Sequence, residues 1–351
     1  MPGRTSKAIP FAVAGAALGA LVGGAAAMMM TGVGIRRPES FPDPARSIDD
    51  AWQRVERLRV AEEFERITPA ASTTLLSPAE PAPDTPTVVL MHGLTMTPDQ
   101  FVWVGEVLCG LGYRVLLPRM PDHGRADKDP ARLADLTAEQ LAAWADGVID
   151  IAHGFGGPVW VEGLSAGGLM ACWCAQVRPE VTRVAAIAPF AAPHGYRWGV
   201  VRTAARLEGL LPARMHHWDD PVFSPHGYEG FPVRGGSAFM VVSEALYDGR
   251  LAAVSSLERT TLVLNDGDDQ ISDPRARELF RACFRDRAAA YSEVTLPAEL
   301  GWRHDFIDPW IEPRPDPRAV LGVLLGALGI EGADVDAAIA GYEPSGPGTS
   351  A

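Results

Sequence analysis

The chain has 351 residues, of which 47% are hydrophobic and 21% charged, and its formal net charge at pH 7 is −13. This length and apolar content suit one large domain carrying an insertion. The acidic balance argues against nucleic acid as a partner and leaves no basic surface for anionic lipid headgroups. No spacing of His, Cys, Asp and Glu indicates a metal site.

The first 37 residues form a distinct segment. Residues 8–35 contain no charged side chain, and basic residues flank them on both sides. Because about 20 apolar residues cross a bilayer, the segment 1–37 predicts an uncleaved single-pass membrane anchor. The balanced flanking charges leave its sidedness open. The small residues 25–27 keep a cleaved signal peptide, and therefore secretion, as the alternative.

Residues 38–71 are interpreted as a linker that includes one helix. Ile48, Trp52, Val55 and Leu58 recur at helical spacing among charged residues. This pattern predicts an amphipathic helix over 48–66. It could lie near a membrane, but packing on the following domain is favoured.

Strands and helices alternate through the rest of the chain. Strands are predicted over 87–91, 114–118, 159–163, 183–188, 260–265 and 291–296, and helices over about 98–110, 137–153, 166–177, 274–285 and 317–328. Such alternation is typical of a mostly parallel sheet covered by helices on both faces. The polar residues that follow the strands are then expected at one edge of the sheet.

The first of these strands ends in His92-Gly93-Leu94. The backbone N–H of Leu94 is placed at the sheet edge, where it could stabilise a developing oxyanion. His92 is expected to shape this loop rather than to catalyse.

The strand at 159–163 leads into Gly163-Leu164-Ser165-Ala166-Gly167 and then a helix. This strand–turn–helix context is typical of a nucleophile elbow, in which a serine hydroxyl is exposed on strained backbone. Gly163 and Gly167 allow the helix to pack tightly against the strand. The N–H groups of Ala166 and Leu94 are predicted to form an oxyanion hole.

Residues 190–258 interrupt the alternation and are rich in apolar and aromatic side chains. We interpret them as a cap or lid insertion over the site, and a cap of this composition suits a hydrophobic substrate group. The tail, 331–351, is expected to be flexible.

Two loops near the end of the core carry further candidates. Asp266, Asp268, Asp269 and Asp273 crowd the loop after the strand at 260–265, and His304 follows the strand at 291–296. With Ser165, these residues give the chain order Ser…Asp…His.

Together these motifs resemble the α/β-hydrolase family, and in particular its carboxylesterase and monoacylglycerol-lipase-like members. The matching segments are 91–94, 120–125, 163–167, Asp269 and 301–305. The resemblance covers roughly residues 72–330. It implies an α/β-hydrolase fold with a core formed by 72–189 and 259–330 and a helical cap formed by 190–258.

The resemblance also implies roles for the candidate residues. Ser165 is the expected nucleophile and His304 the general base and acid, because a serine hydroxyl needs a base to accept its proton. The orienting carboxylate is expected five residues after Leu264, which favours Asp269, with Asp268 as the alternative. This chemistry requires no cofactor.

The expected activity is hydrolysis of small-molecule or lipid carboxylic esters through an acyl-enzyme on Ser165. Three alternatives remain open: a peptidase or amidase, an acyltransferase using the same triad, and a non-catalytic membrane-tethered interaction module. The sequence leaves the oligomeric state and the natural substrate open.

Overall fold

The computed structural model describes residues 38–194, 199, 214–217, 225–247, 256–268, 270–271, 273–284 and 290–342. The predicted anchor at 1–37 and the apolar cap residues between 195 and 213 lie outside these ranges. None of the helices in the described ranges is both long enough and apolar enough to cross a bilayer.

A seven-stranded sheet forms the centre of the domain. Its strands are β1 (Thr74–Leu76), β2 (Thr87–Met91), β3 (Arg114–Leu117), β4 (Val159–Leu164), β5 (Val181–Ile187), β8 (Arg259–Asn265) and β9 (Tyr291–Leu296), and the hairpin strands β6 (Met215–His217) and β7 (Gly230–Pro232) form a separate pair. The order across the sheet is β1-β3-β2-β4-β5-β8-β9. Only β1 is antiparallel to its neighbour. The mostly parallel sheet predicted from the sequence is therefore confirmed. The edge strand β1 was not among the predicted strands.

The strand register brings the candidate segments to one edge. Met91 pairs with Gly163, and Leu164 pairs with Ile187. At the far side of the sheet, Asn265 pairs with Leu296. The loops that follow β2, β4, β8 and β9 therefore leave the sheet at the same end, which we call the carboxyl edge.

Helices cover both faces, as predicted. They are α1 (Ile48–Phe64), α2 (Val102–Gly110), α3 (Ala138–Gly154), α4 (Ala166–Val177), α5 (Val233–Tyr247), α6 (Asp273–Phe284), α7 (Pro317–Leu328) and α8 (Ala333–Gly341). One layer contains α1, α3, α4, α5 and α6, each packed against the next. On the other face, α7 packs on β5 and β8, and Trp103 of α2 contacts Tyr342 at the end of α8.

The N-terminal helix is docked on the core, as favoured from its pattern. Ala51 and Val55 of α1 are buried, and the segment before it binds α3 through Asp150. That carboxylate accepts a hydrogen bond from the Asp43 backbone N–H at 2.9 Å and pairs with the buried guanidinium of Arg178 at 2.5 Å. Loss of Arg178 would therefore leave the buried Asp150 carboxylate without its buried ionic partner.

Two boundaries differ from the sequence prediction. The helix α5 falls inside the predicted cap, 190–258, yet its side chains Phe239, Val242 and Leu246 belong to the main hydrophobic core. The predicted flexible tail begins with the ordered helix α8, whose Val335 joins the same core. In both cases the helix does not connect two strands of the main sheet, so the strand–helix alternation could not indicate that its apolar residues reach the core.

Candidate active site

Ser165 lies between the last residue of β4 and the first residue of α4. Its backbone has φ 56° and ψ −113°, a conformation that costs a residue with a side chain about 1–3 kcal/mol and persists only where the surrounding structure imposes it. The sharp turn is the elbow that the pentapeptide predicts. Ser165 therefore lies at the carboxyl edge, with α4 starting directly behind it.

The neighbouring glycines are required by close backbone contacts. A Cβ on Gly163 would lie 2.3 Å from the carbonyl carbon of Gly167. A Cβ on Gly167 would lie 2.0 Å from the backbone oxygen of Met91. Both distances are far below van der Waals contact, so only glycine lets α4 start this close to β2 and β4.

The loop after β2 is held by two side chains. The Gly93 N–H donates to Oε1 of the buried Gln100 at 3.0 Å. Nε2 of His92 accepts from the Met120 N–H at 3.0 Å, and Nδ1 lies 2.8 Å from the Gly93 oxygen. Because Nε2 accepts, the proton sits on Nδ1 and bonds this oxygen.

The electrostatics of His92 agree with this structural role. Burial, followed by the neighbouring His123, lowers the pKa of His92 well below its usual value. A neutral imidazole with both nitrogens engaged cannot serve as a base for Ser165. Its function is to join the loop after β2 to the loop after β3.

The two predicted oxyanion donors, Leu94 and Ala166, each follow a residue whose backbone is held in place. Leu94 comes directly after Gly93, and Ala166 is the first residue of α4. Within the described part of the chain, neither N–H donates to another backbone oxygen outside regular secondary structure. The Ala166 N–H also lies at the positive end of the α4 dipole, which favours a negative ligand.

A residue of the predicted cap fixes this loop from outside. The N–H of the buried Tyr228 donates to the Thr95 oxygen at 2.8 Å. Its hydroxyl donates to the Asp122 oxygen at 2.8 Å and accepts from the Arg125 N–H at 3.2 Å. Tyr228 therefore connects the loops after β2 and β3. The apolar composition of the cap does not separate pocket walls from packing residues, and no local pattern signals this role.

His304 contacts a carboxylate from the loop after β8. Its Nδ1 lies 2.5 Å from Oδ2 of Asp268, and both side chains are buried. The other oxygen of Asp268 accepts from the N–H groups of Gln270 at 2.8 Å and Ile271 at 3.3 Å. Asp269, the carboxylate preferred from the spacing, lies outside the described residues. The acid that reaches His304 is the alternative, Asp268, one residue earlier.

The charge on Asp268 is stabilised by its partners. Burial alone would raise the pKa of this carboxyl, but the charge and hydrogen bond of His304 and the two backbone N–H groups hold it below its usual value. Asp268 is therefore ionised at neutral pH. An ionised carboxylate on Nδ1 holds the imidazole proton there, so the basic nitrogen of His304 is Nε2.

Asn265 joins the acid loop to the histidine loop, and sequence reasoning missed it. Its amide nitrogen donates to the Trp302 oxygen at 2.8 Å, and its amide oxygen accepts from the Gly267 N–H at 3.1 Å. It is the last residue of β8 and is buried. A polar residue directly after the apolar run Leu262-Val263-Leu264 was the only available signal.

Comparisons with known proteins agree with this geometry. A model of the alpha/beta hydrolase family matches residues 88–328. The chain belongs to this family. The match covers the sheet from β2 to β9 and the helices from α2 to α7, so it contains every candidate residue.

A thermostable monoacylglycerol lipase from Bacillus sp. (strain H-257) is 31% identical over 122 residues, which are 32% of this chain. The match spans only 45% of that relative's length. Similar solved structures include the metagenome-derived lipolytic enzymes LipS and LipT (18% identity, TM-score 0.56, 74% of this chain and 98% of that one). Another is a monoacylglycerol lipase from Paleococcus ferrophilus (18% identity, TM-score 0.51, 73% and 98%). At this level of identity the two structures support the fold.

Proposed function

We propose that this α/β-hydrolase is a serine esterase or lipase in which Ser165, His304 and Asp268 form the catalytic triad. The observation that carries the proposal is the buried contact between Asp268 and His304 at the carboxyl edge, the edge at which strained Ser165 also lies. A histidine held by a carboxylate on Nδ1 is the arrangement that activates a serine.

The reaction follows from these groups. His304 removes the proton of the Ser165 hydroxyl as its oxygen attacks the ester carbonyl carbon, and the N–H groups of Leu94 and Ala166 stabilise the oxyanion. Each such donor contributes about 3–4 kcal/mol to transition-state stabilisation. His304 then protonates the departing alcohol. In the second half of the cycle a water gives its proton to His304 and attacks the acyl carbon. His304 then returns that proton to the Ser165 oxygen as the acid is released.

Esters with a hydrophobic acyl or alcohol group are the proposed substrates. The support is the similarity to a monoacylglycerol lipase and the apolar and aromatic composition of residues 190–258. The mechanism uses protein side chains, two backbone N–H groups and water. Attachment to a membrane through residues 8–35 is part of the proposal, with secretion after cleavage as its alternative.

The test is intact-mass spectrometry after exposure to a fluorophosphonate. Wild type should gain one adduct, and Ser165→Ala, which keeps the backbone geometry and removes only the hydroxyl, should gain none. Hydrolysis of p-nitrophenyl esters of increasing chain length then defines the acyl preference. An unmodified but folded wild type would contradict the proposal and favour the interaction module.

Amide cleavage and acyl transfer use the same acyl-enzyme, so product analysis must separate them. With an ester substrate and added amine or alcohol acceptors, an esterase releases mainly the free acid. Predominant transfer to the acceptor would identify an acyltransferase. Faster turnover of the matched amide would identify an amidase.

A further inference from the structure

The chain leaves β5 through a short segment that contacts both the nucleophile elbow and the acid loop. We call residues 188–194 the β5 segment. It begins at Ala188, whose φ of 40° is uncommon for a residue with a side chain. The Ala188 N–H donates to the Val263 oxygen of β8 at 2.7 Å. Because such strained backbone persists only where the surrounding structure imposes it, the direction in which the segment leaves the sheet is fixed at its first residue.

The middle of the β5 segment contacts the nucleophile elbow. The N–H of Phe190 donates to the backbone oxygen of Ser165 at 2.9 Å. A Cβ on Gly168, in the first turn of α4, would lie 3.2 Å from the Cα of Pro189, so the segment passes closely over the start of this helix. The position of the segment therefore bears directly on the backbone that carries the serine hydroxyl.

The end of the β5 segment contacts the loop that carries the acid. Pro193 forms an antiparallel bridge with Ile271, and the His194 N–H donates to the Gln270 oxygen at 3.0 Å. The peptide unit that follows Gln270 accepts this hydrogen bond through its oxygen. The N–H of the same peptide unit, which is that of Ile271, donates to Oδ1 of Asp268 at 3.3 Å. A shift of His194 would therefore reach the carboxylate through a single peptide unit.

A buried serine on α5 holds the segment between these two contacts. The Ser243 hydroxyl donates to the Ala191 oxygen at 2.7 Å, and both residues are fully buried. The bond joins residues 52 positions apart in the chain, so it fixes the segment against the helix. Because the acceptor is buried, water does not readily replace the hydroxyl when it is removed.

We propose that the β5 segment sets the position of Ser165 relative to Asp268, and that Ser243 is a positioning residue that holds the segment at its centre. The inference rests on the proposed function, because the groups it relates belong to the proposed triad. Transfer of the serine proton requires nucleophile and base to stay within hydrogen-bond reach. A segment that contacts both arms of the triad can therefore control kcat without touching the substrate.

A matched pair of serines on α5 tests the inference in the full chain. Ser237 and Ser243 are both fully buried on this helix, but the Ser237 hydroxyl donates to the Arg234 oxygen of the same helix at 2.5 Å. Ser243→Ala should lower kcat for a p-nitrophenyl ester about tenfold and leave KM within about twofold of wild type. Ser237→Ala should change neither constant by more than about twofold. Equal kcat values for the two variants would overturn the proposal.

Titration with a fluorophosphonate, carried to completion, separates catalysis from folding. Because kcat is expressed per serine that reacts, a smaller folded fraction does not count as slower catalysis. A wild type that neither reacts with the probe nor hydrolyses the ester would overturn the proposed function, and this inference with it. An active wild type whose kcat is unchanged in Ser243→Ala would overturn the positioning role alone.

Variants at His194 test the other end of the segment, where the side chain is exposed and substitutions usually change stability little. Nδ1 of His194 lies 3.3 Å from the Ile271 oxygen, and since a carbonyl oxygen only accepts, Nδ1 is the donor. His194→Ala should lower kcat about two- to fivefold. His194→Asn, whose amide nitrogen can take the place of Nδ1, should restore at least about half of the wild-type kcat. No loss in the alanine variant, or the same loss in both, would contradict control of the acid loop by this segment.

Discussion

The ends of β4 and β8 deliver their candidate catalytic groups to the same edge by different means. At the end of β4, backbone packing fixes Ser165, and the glycines on either side have no substitute. At the end of β8, hydrogen bonds from Asn265, Gln270 and Ile271 shape the loop around Asp268. A steric constraint leaves a recognisable local motif, whereas a loop shaped by side-chain hydrogen bonds does not.

The largest expected effect tests the steric half of this comparison. Gly167→Ala places a Cβ 2.0 Å from the Met91 backbone oxygen, and neither backbone can move without disturbing the sheet. We expect a loss of more than about 4 kcal/mol in the free energy of unfolding. Urea denaturation or, if the variant does not fold, its soluble yield measures this.

Gly147→Ala is the matched control. Gly147 lies within α3, and a Cβ there meets no atom within 4 Å. Alanine should therefore stabilise the helix by about 0.5–1 kcal/mol. If both variants lost the same stability, the close approach at Gly167 would not be the cause.

The next largest effect is expected at the end of β8, where hydrogen bonds shape the loop. Asp268→Asn keeps the size of the side chain but removes the charge that fixes the His304 tautomer, so kcat for ester hydrolysis should fall about 10²–10⁴-fold. Asp266→Asn, at an exposed position of the same loop, should change kcat little. A large loss in Asp269→Asn together with a small loss in Asp268→Asn would return the role to Asp269.

These two strand ends also explain how much of the site could be predicted. Ser165, His304 and the loop after β2 were found because each follows a predicted strand and carries a motif. The spacing favoured Asp269, with Asp268 as the alternative, because four carboxylates share that loop. The carboxylate that contacts His304 in the described residues is Asp268. Tyr228 could not be found, since its contacts join segments more than 100 residues apart.

A smaller effect is expected at Tyr228. Tyr228→Phe removes the hydroxyl that bonds Asp122 and Arg125 but keeps the backbone bond to Thr95. We expect a loss of about 1–2 kcal/mol in unfolding free energy and a lower kcat with little change in KM, because the oxyanion loop becomes less well positioned. Tyr247→Phe, which also loses one buried hydroxyl bond, to the Arg275 oxygen, should lose stability without the fall in kcat.

The smallest expected effect is on the pH dependence of stability, and it follows from the different surroundings of two buried carboxyls, Asp268 and Glu162. Asp268 has partners for both oxygens, but Glu162, three residues before Ser165 in β4, has no hydrogen-bond partner for either oxygen among the described residues. Burial raises the pKa of Glu162 well above its usual value of 4.5, so the carboxyl is protonated in the folded chain over a pH range where it is ionised in the unfolded chain. Below pH 4.5 it is protonated in both. As the pH rises above 4.5, the unfolded state releases the proton first and gains stability, by up to about 1.4 kcal/mol per pH unit.

Glu162→Gln removes this titration, so its stability relative to wild type should rise between pH 4.5 and 8. Burying the glutamine amide has a cost that does not depend on pH, so it shifts the whole curve of stability against pH without changing its slope. Glu180→Gln should show the opposite slope. Burial is the largest single effect on Glu180 and opposes its ionisation, but the Arg178 hydrogen bond, a backbone hydrogen bond and the nearby positive charges together lower its pKa. Its stabilising contribution is present above the unfolded pKa and is lost as the pH falls. Thermal unfolding of Glu162→Gln between pH 4.5 and 8, and of Glu180→Gln below pH 4.5, measures the two slopes. A flat difference for Glu162→Gln would mean that the carboxyl has a partner that neutralises its burial.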